Sequence, residues 1–425
     1  MTTDTPQNAD LTAWRREFHR YPEPGWCEFR TTVRIVEELE RLGVDAIHVG
    51  TDAVDPDERL GVPDEDVLSE WYEKAAAETD RTDLLARLRG GHTGAVAVVE
   101  NGPGPTVGLR VDIDALPITE SADEDHRPAA DGFRSANEGY MHACGHDAHI
   151  AFGLGTLREV MRDGFDGTFK VFFQPSEELL GGGKAMASTP HLDDVDHLFG
   201  AHVGLDYPTG TVVAGLDEAL ALTRMDVAFE GESAHAGLAP NEGRNAVQAF
   251  VSAADSVYGI PRHREGTTRV NVGEIRADNA ANIIADRATA SIEVRGGSTE
   301  LMEYMRDAVH RRVEAAGEMH ECDTEITRTG ESIRQDCDEE LVDLVSEVVT
   351  DRSDSLSLIR RDALAASEDA TYLMRTVTEN GGTATYVGIG GGNPSGHHTP
   401  TFDIDEESLS IGVDVLSSAV RKLLS

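Results

Sequence analysis

The order of its secondary-structure signals constrains this chain more than any single residue does. From Gly94 onward, apolar strand-like runs (Gly94–Val99, Thr106–Val111, Thr168–Phe173, Leu198–Val203) alternate with helical stretches such as His146–Met161. Such alternation builds an α/β layer around a largely parallel sheet. Between Leu222 and Arg328 the order changes. A strand at Thr223–Phe229 leads to a helix at Gly243–Tyr258, strands at Thr268–Ile275 and Arg287–Arg295, a helix at Glu300–Ala315 and a strand at Glu321–Arg328. That is β-α-β-β-α-β, the order of a ferredoxin-like unit. Helices at Glu339–Val349 and Glu368–Thr378, a strand at Thr383–Ile389 and a helix at Glu406–Leu424 then resume the first style. The expected fold is α/β: a mixed, mainly parallel sheet flanked by helices (residues 1–216 and 330–425), with an inserted ferredoxin-like α+β domain (217–329). Helices at Leu11–Arg20 and Glu28–Leu42 open the chain, and the acid- and alanine-rich stretch Asp52–Arg89 reads as an exposed insertion.

Charge excludes some functions. Acidic residues number 78 against 37 basic ones, a formal net charge of −41. Such a field repels nucleic acid and anionic membrane, so neither is an expected partner. Lysine occurs only at Lys74, Lys170, Lys184 and Lys422, and an acid-rich, lysine-poor surface resembles proteins of salt-loving organisms. Cys27, Cys144, Cys322 and Cys337 are too scattered for a disulfide scaffold. Met1–Asp10 is polar, without the apolar core of a signal peptide, and no run approaches the ~18 apolar residues of a membrane span. The expectation is a soluble, cytoplasmic protein.

Four short stretches put metal-binding side chains at strand ends or a helix start. Val107–Val111 runs into Asp112-Ile113-Asp114, Phe169–Phe173 into Gln174-Pro175-Ser176-Glu177-Glu178, and Leu198–Ala201 into His202. Ligands of open α/β sheets collect at the carboxyl ends of strands, so these three are expected to converge. His142-Ala143-Cys144-Gly145-His146-Asp147 precedes a helix and offers a thiolate and an imidazole two apart, good ligands for zinc. A C-x-H pair alone better fits a buried cysteine beside an N-capping Asp147. The adjacent Glu177 and Glu178 shift the balance. Two carboxylates directly after an apolar strand are costly unless something positive holds them, and one on a metal with its neighbour on water is a way to make hydroxide near neutral pH. Near the end, one of His397 and His398 would supply a fifth ligand, enough for two ions.

In the inserted domain, His235 follows a strand within Ser233-Ala234-His235-Ala236-Gly237. It reads either as a loop histidine or as a donor that polarises a substrate carbonyl. Asn282, Arg287 and Arg295 lie on or beside the adjacent strands; an arginine suits a substrate carboxylate, but also the many local acids.

Together these residues resemble the metal-dependent amidohydrolases that include hippurate hydrolases, plant auxin-conjugate hydrolases and aminobenzoyl-glutamate hydrolases. The resemblance runs from Trp14-Arg15-Arg16-Glu17-Phe18-His19 to His398-Thr399-Pro400-Thr401-Phe402-Asp403. Pro24-Gly25-Trp26-Cys27-Glu28-Phe29-Arg30, the insertion at 51–92, Asp131-Gly132-Phe133 and Ser367-Glu368-Asp369-Ala370-Thr371 are most similar to the aminobenzoyl-glutamate branch. The resemblance implies that Cys144 bridges two divalent metal ions, Zn2+ or Mn2+, with His146, Glu178, His202 and His398 completing their shells. His398 is preferred to His397 because the family's histidine stands two residues before the Pro400 position. It implies Glu177 as general base, Asp114 as the acid that steadies the site, and His235 and Asn282 as substrate-polarising and substrate-binding residues, with Arg295 a candidate for the substrate carboxylate. In this family the smaller domain also mediates dimerisation. The chain departs from the family at Ala285, where Pro is common, and at Ser176, where Ala is usual.

The implied reaction is hydrolysis of the amide joining an acyl or aroyl group to an amino acid, with aminobenzoyl-glutamate the nearest model. A general N-acyl-amino-acid, hippurate or auxin-conjugate hydrolase would use the same residues. A different reading is an inactive metal-binding subunit of a hetero-oligomer; such a member usually loses ligands or base, and here the set is complete. Expected partners are a small N-acyl amino acid and either a second copy or a related subunit.

Overall fold

The computed structural model describes residues 6–352, 355–364, 366–393 and 395–425. The chain divides into two compact units at Asp217/Glu218 and Arg334/Gln335, and the short return ending at Glu368 also belongs to the smaller one. Along the chain the strands are β1 (Ala46–Val49), β2 (Ala95–Asn101), β3 (Thr106–Asp112), β4 (Gly167–Gln174), β5 (His197–Val203), β6 (Thr211–Val213) and β7 (Leu216–Asp217). In the smaller unit come β8 (Ala221–Glu230), β9 (Thr268–Arg276), β10 (Arg287–Gly296) and β11 (Asp323–Ser332); β12 (Ser357–Ile359), β13 (Asp362–Ala363) and β14 (Thr383–Ile389) return to the larger.

The larger unit is built on an eight-stranded sheet in the order β1-β2-β4-β3-β5-β14-β6-β12. Its centre, β4-β3-β5-β14, is parallel throughout. β1 and β2 join one edge antiparallel. Thr106–Asp112 is buried at every position, as a strand covered on both faces must be. The helix His146–Asp163 lies against β3 and β4 and is flanked by the helices Pro6–Arg20 and Glu407–Leu423; Ala370–Glu379 lies against β5 and β14. Because the four central strands run the same way, their carboxyl ends share one edge of the sheet. The chain passes from β3 to β4 on one side and then to β5 on the other, and such a reversal leaves a crevice at those ends.

One expectation is corrected. The stretch Asp52–Arg89 is not simply an exposed insertion. Its helix Glu65–Glu78 buries Leu68, Trp71 and Ala75, and Thr82–Leu88 buries Leu84, Leu85 and Leu88. These apolar positions are too few among acids and alanines to give a clear period, yet they suffice to seat the segment. Trp26, completely buried, donates its indole N–H to the Leu60 carbonyl at 2.7 Å, and Lys74 donates to Asn137 Oδ1 at 2.6 Å.

In the smaller unit the sheet order is β11-β8-β10-β9, antiparallel at each step, with a register shift between Arg328 and Gly330. β10 alternates strictly, so Ala288, Ala290, Ile292 and Val294 face inward with Met225, Val227 and Phe229 of β8. Helices Ala246–Tyr258 and Thr299–Met319 close this core, capped by Asn245 and Ser298 side chains that accept from Val247 N (3.0 Å) and Leu301 N (3.3 Å). Among the described residues no helix is long and apolar enough to cross a membrane.

Candidate metal centre

At the shared carboxyl edge β3 delivers Asp112 and Asp114, the turn after β4 delivers Glu177 and Glu178, and β5 delivers His202. Cys144 and His146 arrive from the loop that opens the His146–Asp163 helix. Gly145 permits that loop: its φ is +87°, and a Cβ there would lie 2.5 Å from Val203 Cγ1.

The side chains meet. Cys144, His146 and His202 each offer a ligand atom, and the three atoms lie within 4.8 Å of one another. The same limit holds for Cys144, Glu178 and His398, and for His146, Glu177 and Glu178. Cys144 belongs to the first two triplets, the arrangement that suits a ligand shared by two ions. Its Sγ is 3.5 Å from His202 Nε2, and His398 Nε2 is 3.6 Å from Glu178 Oε2. His397 turns elsewhere, with Nε2 3.3 Å from the Val203 carbonyl.

The imidazoles are oriented by their second nitrogens. His146 Nδ1 donates to the Asp114 carbonyl at 2.9 Å, and His202 Nδ1 to the Val203 carbonyl at 2.8 Å. A carbonyl only accepts, so in both rings Nδ1 carries a proton and Nε2 faces the pocket. Buried His146 Nε2 makes no hydrogen bond, although oxygens of Asp112, Glu177 and Glu178 stand 3.6, 3.9 and 3.7 Å away. Burial lowers the His146 pKa, but Asp112, Asp114 and Glu178 outweigh it and push it up to about 10, so Nε2 would hold either a proton or, in its place, a cation. Burial drives His202 the other way, well below its usual range, with the neighbouring imidazoles of His149 and His397 adding to the effect; it stays neutral, as a metal ligand must.

The donor set fits two divalent cations. Four carboxyl groups and a thiol converge here beside two imidazoles, with Arg110 ion-paired to Asp112 at 2.7 Å. A buried imidazole nitrogen that faces carboxylates and, among the described residues, makes no hydrogen bond is a place a cation would fit. Asp112, His146 and His149 form a further close triplet, but two of its members are already committed. His149 Nε2 accepts from Val203 N at 2.8 Å while its Nδ1 hydrogen-bonds Asp112, and Arg110 donates to the other Asp112 oxygen at 2.7 Å. Burial raises the Asp112 pKa, yet His146, His149 and Arg110 together hold it well below the usual carboxylate range.

Sequence reading missed this brace. Arg110, fully buried, also donates to Gln174 Oε1 at 2.8 Å, and Gln174 Nε2 reaches Asp369 Oδ1 at 2.7 Å. The signals were an arginine inside an apolar strand and a histidine one helical turn after His146.

In the smaller unit, His235 and Asn282 are brought together. Ala236 N donates to the Asn282 carbonyl at 2.9 Å, and a bridge pairs His235 with Ile283. His235 is exposed, and its Nδ1 accepts from Gly237 N and Leu238 N, both at 3.2 Å, which leaves Nε2 as the donor nitrogen. Arg295 does not join them. It sits at the far end of β10, about 27 Å along the strand from Arg287 at ~3.4 Å per residue, and its Nε bonds Glu293 at 2.8 Å. Within the smaller unit Arg295 is therefore set well apart from the start of β10.

The family follows from fold and site together: the chain belongs to Peptidase family M20/M25/M40, which residues 108–422 match. Within it the chain is 39% identical to one of the subunits of the p-aminobenzoyl-glutamate hydrolase of Escherichia coli, over 96% of this chain and 94% of that one. It is 38% identical to the indole-3-acetyl-aspartic acid hydrolase of Enterobacter agglomerans, over 96% and 94%. A solved aminobenzoyl-glutamate utilization protein from Klebsiella pneumoniae superposes with a TM-score of 0.82 at 32% identity, covering 97% of this chain and 95% of that one.

Proposed function

We propose that this protein hydrolyses the amide bond between an aromatic acyl group and an acidic amino acid, with p-aminobenzoyl-glutamate the first candidate. The observation that carries this reading is the pair of ligand triplets sharing Cys144, with Glu177 beside them. The substrate class comes from the relatives: one acts on an aroyl-glutamate and another on an arylacetyl-aspartate. The second favours an auxin-conjugate-type substrate as the alternative.

In this proposal Cys144, His146, Glu178, His202 and His398 hold two divalent ions, zinc or manganese. Bound there, the ions would supply Lewis acidity and lower the pKa of water. Glu177 takes the proton from the attacking water and returns it to the departing amine. Asp114 fixes the His146 ring and the Glu178 backbone, and His235, with Asn282 beside it, donates to the developing oxyanion. The smaller unit would serve as lid and as the surface for a second copy or a related protein chain.

The test is metal analysis joined to a hydrolysis screen in molar salt, with zinc, manganese and cobalt added in turn. p-Aminobenzoyl-glutamate, indole-3-acetyl-aspartate, hippurate and N-acetyl amino acids are the panel. Two bound metals and preferred cleavage of an aryl-acyl acidic amino acid are expected; no cleavage with any ion would remove the proposal. Glu177→Gln should keep both metals and KM while kcat falls about 1,000-fold, within the range of general acid–base effects. Retained kcat would take the base role from Glu177.

A further inference from the structure

The segment Pro24–Arg30 marks the resemblance, yet the proposed chemistry gives it no task. In the structure Glu28, completely buried, reaches the turn that carries the two adjacent glutamates. Its carboxyl accepts from Ser176 N at 2.7 Å and from the Thr93 hydroxyl at 2.6 Å. Two residues on, the Asp114 carboxylate accepts from Glu178 N at 3.0 Å. The backbone N–H groups of the residues before and after Glu177 are thus each held by a buried carboxyl. The turn from Ser176 to Leu180 is tight and strained: these two residues have φ of +56° and +54°, in the left-handed region that non-glycine residues avoid. Gly181 N and Gly182 N close it onto the Ser176 carbonyl at 3.0 and 3.2 Å.

Glu28 approaches so closely because Gly25 has no side chain; a Cβ there would lie 2.7 Å from Ser176 Oγ and 3.1 Å from Ser176 Cα. Among the described residues no cationic side chain pairs with Glu28. A buried carboxyl without a cation costs stability, and an apolar residue would fill the same volume without that cost. What an apolar residue lacks is an acceptor for Ser176 N–H.

We infer that Glu28 is a positioning residue for Glu177: by holding Ser176 N–H it fixes the strained turn so that the Glu177 carboxylate stays aimed at the reacting water. The inference rests on the reading of Glu177 as general base. Burial, reinforced by Asp114, pushes the Glu28 carboxyl well above its usual range, so a glutamine is a close mimic.

The test compares Glu28→Gln with Glu28→Leu on p-aminobenzoyl-glutamate, each alone and combined with Glu177→Gln. Glu28→Leu is expected to lower kcat about 100-fold, the cost of misplacing a reacting group by roughly 1 Å, with KM within about 3-fold and metal content unchanged. Glu28→Gln keeps the acceptor and should stay within about 5-fold of the parent. In the Glu177→Gln background the leucine should cost nothing further, because a residue that acts through Glu177 has nothing left to position. Full kcat in Glu28→Leu, equal loss in both single variants, or an additive loss in the double variant would each overturn the inference. If Glu28→Leu fails to fold, Thr93→Val replaces it; a kcat loss absent in the Glu177→Gln background is expected, and an unchanged kcat counts against. A Glu177→Gln enzyme with full kcat would remove the base reading itself, visibly and without any change at Glu28.

Discussion

His19 lies fully buried between two carboxylates, with Nδ1 2.9 Å from Asp147 and Nε2 2.9 Å from Glu120. Burial lowers its pKa, but the two hydrogen bonds outweigh that and raise it to about 9. Asp147, gripped by Arg15 at 2.8 Å as well as by His19, is held below the usual carboxylate range although burial works against it. The signs are opposite. The His19 contribution is complete below its unfolded value of 6.5 and is lost as pH rises through about 9. The Asp147 contribution is present above its unfolded value of 3.8 and is lost as pH falls below it. The unfolding free energy from urea titrations should therefore drop between pH 6 and 10, by on the order of 3 kcal/mol for His19, and His19→Gln should flatten that limb. An equally steep limb in the variant would show that His19 is not its source. None of this pairing was legible in the sequence, since His19, Glu120 and Asp147 are far apart in it and each passes for an ordinary polar residue.

At the scale of elements, strand ends and one helix start decide where the chemistry gathers. The sequence reading located the longer strands to within a few residues because buried strands are nearly continuous apolar runs, such as Phe169–Phe173 in β4 with Lys170 its one polar residue, and it missed the short strands β1, β6, β7, β12 and β13. It was weaker where a segment is only half covered, as in the 51–92 region. The His146–Asp163 helix starts on Gly145, whose φ of +87° and 2.5 Å approach to Val203 leave no room for a methyl. Gly145→Ala should destabilise the protein by about 2–4 kcal/mol through left-handed strain and overpacking. It should also weaken metal binding, because Cys144 and His146 flank it. Calorimetry with a metal titration reads both, and a variant with unaltered metal affinity would mean that the loop tolerates displacement.

For the whole molecule the governing quantity is the net charge of −41. Exposed acids repel one another over a screening length of ~10 Å at 0.1 M salt, falling to ~3 Å at 1 M. The melting temperature should rise by more than about 5 °C between those conditions, a stability gain of roughly 2 kcal/mol or more. A melting temperature independent of salt would mean that the acidic surface is neutralised by its own arginines. The sequence alone determined the class of fold, the ferredoxin-like order of the inserted segment and which residue types could bind metal. Local apolar period and the chemistry of short motifs are properties of neighbours along the chain. Only the tertiary structure decided that Arg110 and His149 secure Asp112, and that Arg295 stands apart from His235 and Asn282. Those outcomes depend on which strand lies beside which and on where a buried charge finds its partner, and neither is encoded at short range.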